Sequence, residues 1–406
     1  MRSGAAGAGE ALAGLNTAQL RYFLDGKEAF EEESFVKDPP PNGDAGLGPG
    51  FNGLSCGQCH AAPAAGGTSP ALNPQIEAAT KFGARNVVPP FLSLAGPVRV
   101  VRFARRPDGS PDGGVHNLFV ITGRQDAAGC NARQEDFSNA TNLRFRIPTP
   151  VFGGGLLEAI PDAALEQNLA ASAAEKRALG IAGRFNRSDN DGTITRFGWK
   201  AQVKSLSVFG GEAYNVEMGV SNLLFPQERN AMPGCIFHAG PEDDVDFEAG
   251  DTDDVPLFAA FMRFLAPPAP AAGNSEGRAL FAAVGCAGCH TPSLRTGASR
   301  IAALHEKEVG LYSDLALHRM GPALADDISQ GVAGGDEWRT APLWGLGKRI
   351  FFLHDGRSKD LVETIRMHGG QGSDRYQPSE ATGAVQRFNE LTSAQQQALL
   401  AFLRSL

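Results

Sequence analysis

Three observations predict a mainly α-helical chain in two domains. They are the pentapeptides CGQCH at 56–60 and CAGCH at 286–290, a Pro/Ala-rich stretch between them, and helical apolar spacing beside the second. C-x-x-C-H is the attachment signature of c-type haem. Two thiols three positions apart on one helical turn reach the two vinyl groups of one porphyrin, and the next residue turns its imidazole to the iron. A thioredoxin-like C-x-x-C or half of a zinc site is the alternative, but a His follows both pairs. Cys56, Cys59 and His60 read as one attachment site, and Cys286, Cys289 and His290 as another, with His60 and His290 as proximal ligands. The expected fold is two cytochrome c-type haem domains, the first with a small β-hairpin and long loops. The expected cofactors are two covalently bound c-type haems.

The elements follow in order. A length of 406 residues suits two or three domains. The stretch APPAPAAG at 266–273 reads as a linker between an N-terminal haem domain with insertions, 1–265, and a C-terminal one, 274–406. In the first, residues 17–36 suggest a helix, with Glu31–Glu33 on a solvated face. Two β-branched runs around a Gly/Asp cluster at 98–123 read as a hairpin. Residues 185–199 read as a turn into a short strand, and their DNDG does not satisfy the calcium-loop template. In the second, 276–292 reads as an amphipathic helix running into the attachment site, with Leu280, Phe281 and Val284 apolar. Residues 391–406 read as a closing helix, capped by Thr392 or Ser393 and lined by Leu399, Leu400 and Leu403.

Lys plus Arg is 37 and Asp plus Glu is 45, a formal charge of −8. That balance excludes the basic face of a nucleic-acid binder. No apolar run of about 18 residues is present to span a membrane. The N-terminal MRSGAAGAGEALAG lacks the apolar core of a signal peptide. Covalent c haem is assembled outside the cytoplasm, so a processed, periplasmic chain is expected. In that compartment Cys130 and Cys235 favour a disulfide over two free thiols.

A haem with His on one side either takes a second strong ligand and carries electrons, or keeps an open position for peroxide or oxygen. Candidate second ligands are His116, His238, Met218 and Met232 for the first haem. For the second they are His305, His318, Met320, His354, Met367 and His368. Spacing alone does not choose among them.

Residues 340–370, TAPLWGLGKRIFFLHDGRSKDLVETIRMHGG, resemble the signature of the diheme cytochrome c peroxidase/MauG superfamily. The stretches GLGPGFNGLSCGQCH, GGGLLEAIPDAAL, RFGWKAQV, YSDLALHRMGPALAD and WRTAPLWGLG resemble its diheme oxidoreductase branch. Together they span 46–370. The resemblance implies His368, fourteen residues after His354, as the distal ligand of the second haem, with His318 in reserve. It implies Trp199 as an electron relay between the haems, a core Trp being the alternative. YNVEMG at 214–219 matches the segment that carries a distal carboxylate, making Glu217 a general acid–base group for peroxide over the N-terminal haem. A surface Glu is the alternative, and Ser207 stands where a Gln accompanies that Glu. His116 is implied as a displaceable ligand or distal acid–base group, equally as a core or propionate-bonding His. Arg357, Arg124 and Arg146 are candidate propionate partners. Arg349 and Phe351 stand where the superfamily carries an interdomain calcium motif, and a basic residue there argues against calcium.

The resemblance implies a peroxidase-type oxidoreductase whose C-terminal haem collects electrons and whose N-terminal haem meets hydrogen peroxide or oxygen. A pure electron-transfer diheme cytochrome, with both irons saturated, is the second reading. A rubber-oxygenase-like diheme oxygenase is the third, on fold-level analogy alone. Nothing supports a thiol oxidoreductase. The acidic charge suits a small basic cytochrome c or a cupredoxin as donor.

Overall fold

The computed structural model describes residues 7–41, 43–230, 232–238, 240–243, 253–271 and 275–406. Helices account for 31% of the chain, and small sheets accompany them. The class is therefore mixed rather than mainly α. Strands of two to four residues do the pairing, where sequence reading had left most of them as loop.

The packing divides the chain into two units. One takes Asn16–Val151 and Leu206–Phe264. Its first helix, Thr17–Glu31, is started by Asn16 and Gln19 in a reciprocal capping box. It buries Phe23, Gly26, Ala29 and Phe30 and packs on the helix Asp254–Phe264. The crossing is close because a Cβ on Gly26 would stand 2.2 Å from the Leu257 carbonyl oxygen. Phe30 and Phe261 meet there with ring centroids 4.6 Å apart. The predicted hairpin is present as Val100–Phe103 against Val115–His116. A third strand, Leu143–Arg146, pairs with its other edge. Cys130 and Cys235 form a disulfide across 105 residues.

The other unit takes residues up to Leu15, Phe152–Ser205 and Leu265–Leu406. Residues 152–205 thus pack with the C-terminal segment, not with the 1–265 span that the linker position suggested. Within 266–271 the linker forms no helix or strand, yet it is tied down. Ala266 N donates to the Glu10 carbonyl at 2.8 Å and Ala271 N to Ser405 at 2.8 Å. Residues 272 and 273 lie outside the described ones. The predicted helices appear as Ser275–Ala283 and Ser393–Ser405. A Cβ on Gly277 would meet the Ala398 carbonyl oxygen at 2.2 Å, so the two cross closely. Their core includes Phe281, Tyr312, Phe352, Phe388 and Phe402, with Cys286 and Ala287 packed against it. Each fully buried aromatic contributes about 1.5–3 kcal/mol by leaving water.

Candidate functional site

Cys56–Cys59 forms a single helical turn. Both thiols are reduced, and burial pushes Cys56 up to about 12 and Cys59 also upward, so neither is a poised thiolate. Burial also lowers His60 to about 4, keeping its imidazole neutral at physiological pH. His60 Nδ1 lies 3.0 Å from the Gly67 carbonyl oxygen. With Nδ1–H donating there, Nε2 presents its lone pair, the arrangement that orients a metal-ligating His.

The second motif repeats the design on a different element. Gly285, at φ 99°, is in the left-handed region that a side chain disfavours, and it turns the chain into the short 3₁₀ turn Cys286–Gly288. Burial pushes the Cys286 thiol up to about 12 and the His290 imidazole down to about 4. His290 Nδ1 is 2.9 Å from the Tyr312 carbonyl oxygen. His368 ends the helix Leu361–Met367, its Nδ1 2.7 Å from the Thr364 carbonyl oxygen. Burial holds His368 neutral as well, and it lies near enough to His290 for a charge on it to lower His290 further. Two soft thiols and a neutral, partly exposed imidazole at each motif are the donor set a c-type haem takes, so the residues fit the group.

Glu217 lies in the same unit as the first motif. It sits in a π-helical turn, Tyr214–Met218, that extends the helix Leu206–Ala213 and ends at Gly219. Such turns are frequent at functional sites. Asn52 Nδ2 donates to Glu217 Oε2 at 3.1 Å, and Asn52 N donates to the Glu217 carbonyl at 2.7 Å. Burial raises the Glu217 carboxyl, while Asn52, Arg102 and Arg229 oppose the rise and Glu212 adds to it. Asn52 bonds Glu217, and a Cβ on its neighbour Gly53 would lie 3.3 Å from Cys59 Sγ, so the carboxyl is in the neighbourhood of the thiol pair and its charge raises both thiols. Asn52 and Arg102 come from distant segments, Glu212 from the helix just before and Arg229 from twelve residues on, and sequence reasoning missed all four. Asn52 was inside the quoted stretch GLGPGFNGLSCGQCH, yet a lone Asn carries no signal of its partner.

Other candidates are placed differently. His116 is held at both ring nitrogens, Nε2 3.1 Å from Asp112 and Nδ1 2.9 Å from Glu135, so neither is presented to an iron. His318 is equally occupied, with Nε2 3.0 Å from Asp314 and Nδ1 2.8 Å from Glu380. Arg357 spends its guanidinium on Asp355 at 2.6 Å and the Ala323 carbonyl at 2.9 Å. Arg124 is bonded to Asp126 at 2.9 and 2.6 Å. A neighbouring carboxylate has captured each of these groups. Trp199 belongs to the unit of the second motif. Its ring stands edge-on to Trp338 and His354, and those two stack at 3.8 Å. Lys200 Nζ lies 4.0 Å over the Trp338 ring.

No helix among the described residues is long and apolar enough to cross a membrane. No curated protein matches the chain. The sequence model of the family described as "Di-haem oxidoreductase, putative peroxidase" matches residues 115–406. That span contains CAGCH, Trp199, Glu217 and His368, and CGQCH precedes it. Hydrazine synthase from Kuenenia stuttgartiensis is 13% identical over 67% of this chain and 76% of that one, with a TM-score of 0.34. A MauG-like protein associated with microbial copper homeostasis is 14% identical over 64% and 91%, at 0.30. The diheme peroxidase BthA from Burkholderia thailandensis E264 is 17% identical over 64% and 86%, at 0.31. Likenesses this weak carry no argument about the chain.

Proposed function

Because the chain belongs to the di-haem oxidoreductase family, we propose that it is a peroxidase-like diheme c-type oxidoreductase acting in the periplasm. Cys56 and Cys59 would hold one haem and Cys286 and Cys289 the other, with His60 and His290 as proximal ligands. The bound haems would supply one-electron redox chemistry and cleavage of an O–O bond. The haem held at His290 would take up electrons, with His368 available to hold its iron as well. Trp199 relays them, and peroxide or oxygen reacts on the His60 side. The donor is a small redox protein, a cytochrome c or a cupredoxin.

The observation that carries this reading is Glu217 beside the first thiol pair. Its carboxyl is partly buried and raised, so it keeps a proton more readily than an exposed Glu and can release it when a neighbouring atom becomes basic. Asn52 keeps Oε2 in place. Arg102 and Arg229 stabilise the carboxylate once the proton has left, so both protonation states are accessible. A saturated electron carrier has no use for such a group.

Low-temperature EPR of the oxidised protein, repeated after adding one electron per molecule, tests the reading. A high-spin signal in either state, quenched by peroxide, is the expected result. Two low-spin signals that persist in both states without a peroxide response would make the chain an electron carrier. They would also remove Glu217 from the chemistry.

A further inference from the structure

Two cations in the unit that carries the second motif, buried Arg339 and partly buried Arg349, meet no anion among the described residues. Arg339, 7% exposed, closes the strand Glu337–Arg339. Its Nε donates to the Gly198 carbonyl at 3.0 Å and its Nη1 to Thr340 at 3.5 Å. Arg349 follows the 3₁₀ turn Leu346–Lys348, and its Nη2 donates to the Pro342 and Trp344 carbonyls at 2.7 and 3.2 Å. Its Nε is enclosed and has no partner. Among the described residues no carboxylate meets either guanidinium. Other arginines of this unit are paired, Arg319 with Glu380 and Arg357 with Asp355. The two share a short stretch of backbone, Arg339 bonding the Thr340 carbonyl and Arg349 the Pro342 carbonyl two residues on; burial pulls both down to about 10, and the charge of Arg349 lowers Arg339 further.

Their place is next to the His290 loop. Ser313 Oγ donates to the Thr340 carbonyl at 2.6 Å. Leu343 N donates to Leu311 at 3.1 Å and Ser313 N to Thr291 at 2.9 Å. Tyr312, between these, holds His290 Nδ1. The Arg349 turn is pinned, because a Cβ on Gly347 would meet the Arg404 carbonyl oxygen at 2.0 Å. Buried charges are kept where something pairs with them, and adjacent guanidiniums match paired carboxylates in geometry.

We propose that Arg339 and Arg349 form a twin-guanidinium receptor for the propionate carboxylates of the haem at Cys286–His290. The proposal rests on the di-haem reading above. The two cations keep the propionates ionised and favour the reduced haem.

The test uses the purified holoprotein and four variants, Arg339→Gln, Arg349→Gln, Arg349→Lys and the exposed Arg404→Gln. Mass spectrometry counts attached haems, and spectroelectrochemistry follows both potentials between about pH 5 and 8. Each of the first two variants is expected to retain two haems. Each shifts the one-electron equilibrium of one haem about tenfold toward oxidation, 59 mV for one electron. The same haem acquires a pH-dependent potential, while Arg404→Gln changes neither haem. Arg349→Lys keeps the charge but loses the planar fork, and shifts the same haem by a smaller factor. It carries the test alone if the Gln variants do not accumulate. Two attached haems with unchanged potentials and pH dependence overturn the receptor and leave the di-haem reading intact. A wild-type protein with no haem on Cys286 and Cys289 overturns that parent reading instead.

Discussion

Asn52 and Glu217 are 165 residues apart in sequence, and Asn52 Nδ2 donates to Glu217 Oε2 at 3.1 Å. The other face of the same amide, Oδ1, accepts from Leu118 N at 2.8 Å. One buried side chain therefore fixes a strand segment and a carboxylate together. Burial raises Glu217, and the Asn52 bond opposes the rise. Asn52→Ala should move the Glu217 ionisation upward and remove about 1–3 kcal/mol of stability, because Leu118 N loses its acceptor. The sign for Glu217 itself runs the other way. An acid raised in the folded state stabilises below its unfolded value and loses that contribution as pH rises through its folded one. Glu217→Gln should flatten that slope while lowering peroxide turnover by about 10²–10⁴. Denaturant melts across pH, paired with peroxide assays, check both. Unchanged turnover in the Gln variant would rule out the proton-transfer role.

The acidic group around Tyr214 predicts a second pH effect. Tyr214 Oη donates to Asp44 Oδ2 at 2.6 Å and to Asp254 Oδ2 at 2.9 Å. Burial first, then Asp44 and Asp243, raise Asp254 to about 8, and burial raises Asp243 to about 6. Stability from these acids is full below their unfolded values and fades as pH rises through the folded ones. Asp254→Asn should therefore stabilise the protein at pH 8, on the order of 1–3 kcal/mol, and do little near pH 4. Thermal midpoints at both pH values decide it, and an equal effect at both would refute the assignment.

The disulfide predicts a stability loss without a change in chemistry. Cys130 and Cys235 close a loop of 105 residues. Loops of about that length contribute roughly 2–5 kcal/mol by restricting the unfolded chain. A Cys130→Ser/Cys235→Ser double variant should melt earlier by that amount and retain its haem content. Calorimetry with and without reductant measures the difference, and coincident melts would show that the bond contributes nothing.

Both C-x-x-C-H motifs were legible because their residues lie within five positions of one another. The closing helix was legible too, since Thr392 and Gln395 make the capping box and Leu399, Leu400 and Leu403 share its buried face. The strand Leu143–Arg146 was not, because its partner Val100–Phe103 is remote in sequence and four residues carry little pattern. The same limit hid Asn52 behind Glu217. It also concealed the fate of His116 and His318, whose ring nitrogens are engaged by acids. For His318, Asp314 is local but Glu380 lies 62 residues away. For Arg349 sequence reading weighed only a lost calcium site, since the absence of a carboxylate partner is visible only once the turn is folded against Arg404.

His318 and His368 differ in what their ring nitrogens bond, and the proposed ligation of His368 predicts different outcomes for the two. His318 is buried and His368 half-buried; His318 has both nitrogens on carboxylates, whereas His368 uses only Nδ1. Burial opposes protonation of His318, yet Cys289 and Asp314 raise it well above its ordinary value. Its stabilising charge is therefore complete below about pH 6.5, persists through neutrality, and fades only as pH rises through the raised value. His318→Leu should strip Asp314 of its cation and leave Glu380 with Arg319 alone, removing about 3–5 kcal/mol. It should leave the low-spin signal of the C-terminal haem in place. His368→Leu should melt nearly normally and convert that haem to high spin, and His368→Met should raise its potential, because a thioether ligand favours the reduced iron. EPR and redox titration of the three variants give the answer together. A low-spin signal that survives His368→Leu but not His318→Leu would reverse the assignment of the two residues.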